Sequence, residues 1–226
     1  MSLAASDIIT RACVIAKAPG YRVQAGTYLN MMLDTLQQTY DFDYISKPAT
    51  INIRSGVNGY ALPADHMRTR EVFYNVNGSI FYLNQVDIRK FNSLFNGPGV
   101  DNYPYQFSID VSTVPHTLLF YPPPAISLPV KVIYFPRTPD IASPETSGVV
   151  PWFLTQEYLI DKTAAYLMRE TEDDRYQAFD DGAEKLLRSV LIMDDDKEGY
   201  PQTVKLSRQN FRPSGITRPS KAFPLM

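Results

Sequence analysis

The chain has 226 residues, 44% of them hydrophobic and 12% aromatic, with a formal net charge of −2. That is the composition of a globular chain able to bury one good core or two modest ones, and it excludes a disordered or fibrous polymer. A single cysteine excludes a disulfide framework, and no run approaches the roughly 20 apolar residues of a membrane span.

In chain order, Ser6 and Asp7 stand where they can cap a helix over "DIITRACVIAKA", whose Ile8, Ile9, Ala12 or Cys13 and Ala16 recur at helical spacing until Pro19-Gly20 stops it. Cys13 sits in the apolar run "RACVIA" and reads as a small buried side chain, in keeping with a reducing compartment. The N-terminus lacks a basic-then-apolar leader, so the chain is expected to start in the cytosol of the cell that makes it. A second amphipathic helix is predicted over "AGTYLNMMLDTLQQTYDFDYI", with Tyr28, Met32, Leu36 and Tyr40 four apart and Leu29 and Leu33 beside them.

From Lys47 the pattern changes to alternation. "ATINIRS", the turn signal "GVNG" and "YALP" predict a hairpin. "REVFYNVNGSIFYLN" predicts a second, with Asn77 and Gly78 supplying the positive φ of a type I′ turn. "YQFSIDVS", "TLLFYPP" and "VKVIYFPRT" read as further strands, their prolines confined to the ends. After a loop, Pro151 opens a predicted helix through "WFLTQEYLIDKTAAYLMRETEDD", and another covers "RYQAFDDGAEKLLRSVLIM".

Neither helical segment can bury its apolar stripe alone. The expected class is therefore α+β: a helical bundle of residues 1–46 and 150–199, an inserted small antiparallel β-sandwich or barrel over 47–140, and an extended C-terminal arm over 200–226. Acids crowd into "RETEDDRYQAFDDGAEK" and "MDDDKEG", whereas the chain from Pro201 onward holds lysines and arginines without one acid. Pro213, Pro219 and Pro224 favour an extended course there, and apolar residues punctuate it. A strap with anchors calls for a partner surface.

Catalytic signals are sparse. His66 and His116 are the only histidines, both near strand boundaries and without metal-ligand spacing, and no phosphate-binding glycine motif is present. Asp194, Asp195 and Asp196 read as a solvated helix end rather than a cation site, since successive residues point in different directions. Glu170, Glu172, Asp173 and Asp174 could supply a glycosidase pair, as any acid-rich stretch could. Arg68, Arg70, Arg89 and Lys90 form a weak nucleic-acid face. No cofactor or metal is expected.

The succession of "AGTYLNMMLDTLQQTYDFDYI", "YALPADHMRTREVFYNVNG", "VPWFLTQEYLIDKTAAYLM" and an extended arm resembles the head-to-tail adaptor family of short-tailed bacteriophages, which includes tail accessory factors and tubular tail proteins seated beneath the portal. Tyr40 and Phe42 take the place of that family's frequent tryptophan. The resemblance implies a non-enzymatic virion protein of the tail or neck, assembled in host cytoplasm as a ring of twelve copies. Its implied partners are the portal, the next tail protein, of nozzle or fibre-bearing type, and double-stranded DNA passing without specific binding; no membrane is involved. It further implies that Lys205, Arg208, Phe211, Arg212, Ile216, Arg218, Lys221 and Phe223 form the arm that docks on portal or neighbour, and that Asp194, Asp195, Asp196 and Glu198 line the channel. Two other classes stay open: a carboxylate-dependent cell-wall hydrolase and a DNA-binding module.

Overall fold

The apolar stripe of the first helix, α1 (Ala5–Ile15), puts Ala5, Ile8, Ile9, Ala12 and Cys13 on one buried face. The computed structural model describes residues 2–94 and 103–196. Ser6 and Asp7 do not cap α1. Its leading amides instead donate to the carbonyls of Val149 (2.8 Å, from Ala5) and Ser147 (3.2 Å, from Ser6), so a distant loop satisfies the free end. The helix also stops before Pro19. Lys17 takes a left-handed φ of 55°, its N–H reaches Val14 and that of Ala18 reaches Cys13, which is a Schellman termination formed without glycine.

The second helix, α2 (Arg22–Thr39), buries Leu29, Met32, Leu33 and Leu36. It ends well short of the predicted Ile45, because Tyr40 is already extended and Asp43–Ile45 forms a short 3₁₀ turn. The later helices are α4 (Gln156–Glu170) and α5 (Tyr176–Asp196). The start predicted at Pro151 is displaced to Gln156, since Trp152 and Phe153 are committed to an aromatic cluster around Phe42, with centroids 5.8 and 5.5 Å from its ring. Ile8, Leu29, Leu36, Leu159, Leu167 and Leu187 share one core, so the first two and last two helices bury one another's stripes. Lys162 ties α4 to α5 through Asp180 and Glu184, each at 2.7 Å.

Between these helices lie β1 (Lys47–Ile53), β2 (Gly59–Ala61), β3 (His66–Val76), β4 (Ser79–Tyr82), β5 (Asn84–Gln85), α3 (Ile88–Leu94), β6 (Gln106–Asp110), β7 (Thr117–Tyr121) and β8 (Leu128–Pro136). They form two four-stranded sheets, ordered β1-β8-β3-β4 and β2-β7-β6-β5. The β3–β4 hairpin follows its sequence signal: Asn77 and Gly78 have φ of 52° and 84°, and Val76 pairs with Ser79.

The other predicted hairpin does not form. β1 pairs along its length with β8, whereas β2 crosses to the second sheet and pairs with β7. The turn itself is present, with Gly56 at φ 74°, but its amide donates to Pro124 and the carbonyl of Asn58 accepts from Phe120. Turn residues announce a reversal, not the strand it pairs with. β5 pairs parallel with β6, so the second sheet is mixed rather than antiparallel. Ile53, Val72, Val130 and Val132 of the first sheet meet Phe107, Leu118 and Phe120 of the second in one core. Each such side chain, fully buried, contributes roughly 1.5–3 kcal/mol. The class is α+β, as the sequence predicts.

Candidate functional site

The helical unit and the sheets meet at the start of β3. The Arg68 guanidinium donates to the carbonyls of Gln37 (2.8 Å), Gln38 (2.9 Å) and Tyr40 (3.1 Å), the acceptors left over as α2 ends, and it pairs with Asp41 at 2.7 Å. Arg70 pairs with Asp43. These two arginines, weighed in sequence as a nucleic-acid face, are thus engaged within the fold, while Arg89 and Lys90 are exposed on α3.

The Asp43 N–H in turn donates to the Asp194 carboxylate at 3.1 Å. Burial, reinforced by the Asp194 charge, pushes the Tyr44 hydroxyl above its ordinary range. Asp194 is therefore half-buried against the joint. The side chains of Asp195 and Asp196, all of Glu198 and the arm residues Lys205 to Phe223 lie outside the described residues.

Beside the joint the fold brings together two histidines that looked isolated in the sequence. His66, at the start of β3, is 2.9 Å from His116 between ring Nδ1 atoms and 2.8 Å from the Thr69 hydroxyl through Nε2. Since one ring must donate and the other accept, the contact favours neutral imidazole. Burial, and then the neighbouring His116, hold His66 down at about 4. Asp65 lies alongside, kept below the usual carboxylate range by the hydrogen bond from Lys47, which outweighs desolvation, and by that from Tyr134.

The other acids considered for catalysis are spread over the surface. Asp173 is held at about 2 chiefly by the hydrogen bond from Arg175 two residues on. Glu170 accepts from the Tyr28 hydroxyl at 3.0 Å. Burial alone would depress Lys162, but the hydrogen bonds it donates to Asp180 and Glu184 push it upward, so those two acids serve helix packing. Among the described residues no cluster of three or more His, Cys, Asp or Glu side chains stands at metal-ligating spacing.

Among the described residues, two surfaces combine exposed apolar side chains with a defined shape that could receive partners. One is a groove of about 280 Å³ between α2 and residues 138–152, with Leu33, Ile141, Val150 and Trp152 in its apolar lining and Asp34 and Asp140 at its edge. Its walls are fixed by polar clamps. The Asn30 side chain donates to and accepts from Ile141 (3.0 and 3.1 Å), and Gln37 accepts the Thr138 N–H at 3.0 Å. Gly26 matters here because a Cβ would come within 2.8 Å of the Pro144 ring. The second surface is β4, an edge strand exposed along its whole length, with Ile80, Phe81 and Tyr82 among its residues.

Sequence reasoning singled out neither Asn30, Gln37 nor Trp152 as clamp or groove residues. Only Gln37 carries a faint signal, an amide on the stripe of Leu33 and Leu36.

A family model described as SU10 adaptor protein matches residues 3–205. The chain belongs to that family, and with it to the structural adaptors of phage virions. No curated protein matches the chain significantly. Residues 206–226, with most of the arm's anchors, lie beyond the family match.

Proposed function

We propose that copies of this chain close into a ring, twelve-fold to match the portal, that joins phage head to tail and extends the DNA passage. The observation that carries this reading is the family match over nearly the whole chain. Two exposed apolar surfaces at separate places support it, because a closed ring needs two different, complementary faces on each copy. A structural role also accords with charged side chains spent on holding helices to sheets and to one another.

In this reading the ring sits beneath the portal in the tail or neck and offers its far side to the next tail protein. The acidic stretch that begins at the end of α5, Asp195, Asp196 and Glu198 with Asp194 held at the joint behind them, borders the passage, where negative walls keep duplex phosphates from sticking. The C-terminal arm, from Lys205 to Phe223, supplies contacts that outlast the encounter of folded faces. Native mass spectrometry of the full chain with purified portal should show a stoichiometric complex of about twelve copies. A chain that stays monomeric and portal-free under those conditions would falsify the ring.

A further inference from the structure

We infer that the groove between α2 and residues 138–152 receives the C-terminal arm of a neighbouring copy, with Phe211 in the groove and Arg208 and Arg212 against Asp34 and Asp140. This rests on the ring proposed above and adds the contact that links one copy to the next.

The groove is a built receptor. The Asn30 and Gln37 clamps hold its walls before any partner arrives, so little ordering of this side is needed on binding. Its apolar surface continues outward through Val149 and Val150, which are 55% and 46% exposed. Among the described residues Asp34 accepts from the neutral amides of Gln37 and Gln38, and Asp140 is exposed, so both carboxylates can meet a cation.

The occupant follows from the chain beyond α5. Thirty residues come after Asp196, and from Pro201 onward they include Lys205, Arg208, Arg212, Arg218 and Lys221 but no acid. Phe211 lies between two arginines, and Pro213 restricts the backbone just after it, an arrangement suited to an extended peptide entering an aromatic-lined groove. Trp152 supplies the aromatic wall.

Length admits a neighbour's groove as well as the chain's own. Asp194 is bound at Asp43, and the ring of Tyr44, next along, is 6.4 Å from that of Trp152, so α5 ends about one side-chain layer from its own groove. Phe211 follows Asp196 by 15 residues, a reach of about 50 Å when extended, far more than a self-strap requires and enough to cross a neighbouring subunit. Because the family match stops at residue 205, this docking belongs to a segment outside what the match covers.

The test uses two full-length variants, Ile141→Cys and Asn210→Cys, which keep the Phe211 anchor, mixed in equal amounts and assembled with portal under mild oxidation. Cys13 is buried and serves as an inert background thiol. The expected product is a disulfide-linked dimer from the mixture. Phe211→Ala should weaken assembly roughly tenfold to a hundredfold, the loss of one buried aromatic side chain, with unchanged melting. In a third variant that carries both cysteines in one chain, linkage confined within single chains would assign the groove to the chain's own arm and overturn the inference. Absence of any link while native mass spectrometry shows an intact ring would overturn it and leave the ring standing. Absence of the ring itself in the unsubstituted chain would remove both.

Discussion

The two ends of strand β3 are built in opposite ways. At its start, His66, Arg68 and Arg70 have their side chains bound to the end of α2, to Asp41 and Asp43, or to His116 and Thr69. At its far end the strand turns at Asn77-Gly78 into β4, where Ile80 and Tyr82 are 53% and 63% exposed. One end is rich in polar partners within the fold, and the other exposes apolar side chains that touch their cross-strand neighbours, Phe81 on Tyr74 and Tyr82 on Phe73. The contrast shows that burial and polar bonding fix the sheets to the helices, while contact with other molecules is left to the opposite pole and to the groove.

The sharpest test of the first end is Phe42→Ala. Phe42 is fully buried and touches the rings of Tyr40, Tyr44, Trp152 and Phe153. Its removal should cost about 3–5 kcal/mol in chemical denaturation. A loss under 1 kcal/mol would mean that the aromatic cluster does not organise the joint.

Next in size is Arg68→Ala, which strands the carbonyls of Gln37, Gln38 and Tyr40 and frees Asp41. About 2–3 kcal/mol should be lost, because the part-buried acceptors of Gln37 and Tyr40 are left without a donor, while water can replace it at Gln38. Arg68→Lys should recover only part of it, since an ammonium cannot spread over three carbonyls and a carboxylate as the fork does. Full recovery by lysine would reduce the interaction to simple charge.

How much of this could be read beforehand follows the distance over which each signal acts. Leu29, Met32, Leu33 and Leu36 reveal α2 because helical periodicity is local, and Asn77-Gly78 reveals a hairpin because its turn chemistry sits between the paired strands. The joint has no such signature. Arg68 meets Tyr40 across 28 residues and Asp43 meets Asp194 across 151, so nothing in the neighbourhood of either residue marks its partner. The missed β1–β8 pairing fails for the same reason, and the early end of α2 is explained only once Arg68 is seen at its carbonyls.

The histidine contact gives a smaller, pH-dependent effect at the same end of β3. His66 titrates near 6.5 when unfolded and at about 4 when folded, so the fold favours its neutral form. Its contribution is therefore complete above pH 6.5 and is lost as pH falls toward 4, where the unfolded chain takes up the proton first. Of the charges facing it, His116 depresses it further and Asp65 opposes the shift. About 2 kcal/mol should disappear across that window. His66→Gln, which keeps a polar partner for Thr69 and His116, should flatten the curve between pH 6.5 and 4; an unchanged slope would assign the acid sensitivity to carboxylates instead.

The smallest expected effect on stability belongs to the exposed end, and it discriminates most between fold and function. Ile80 lies on exposed β4, opposite Asn75 of β3 and outside the buried core, so Ile80→Lys should change unfolding free energy by no more than about 0.5 kcal/mol. A lysine on an edge strand nevertheless opposes pairing with another chain, by placing a charge where an apolar contact or an added strand would form. If this pole is an assembly face, the variant should melt normally and yet join portal-bound rings poorly in native mass spectrometry. Normal assembly would show that β4 is an exposed edge without a partner, and would leave the groove as the surface that links copies. A loss of more than 1 kcal/mol would show instead that Ile80 supports the sheet, so that the contrast between the two ends of β3 is weaker than its exposure suggests.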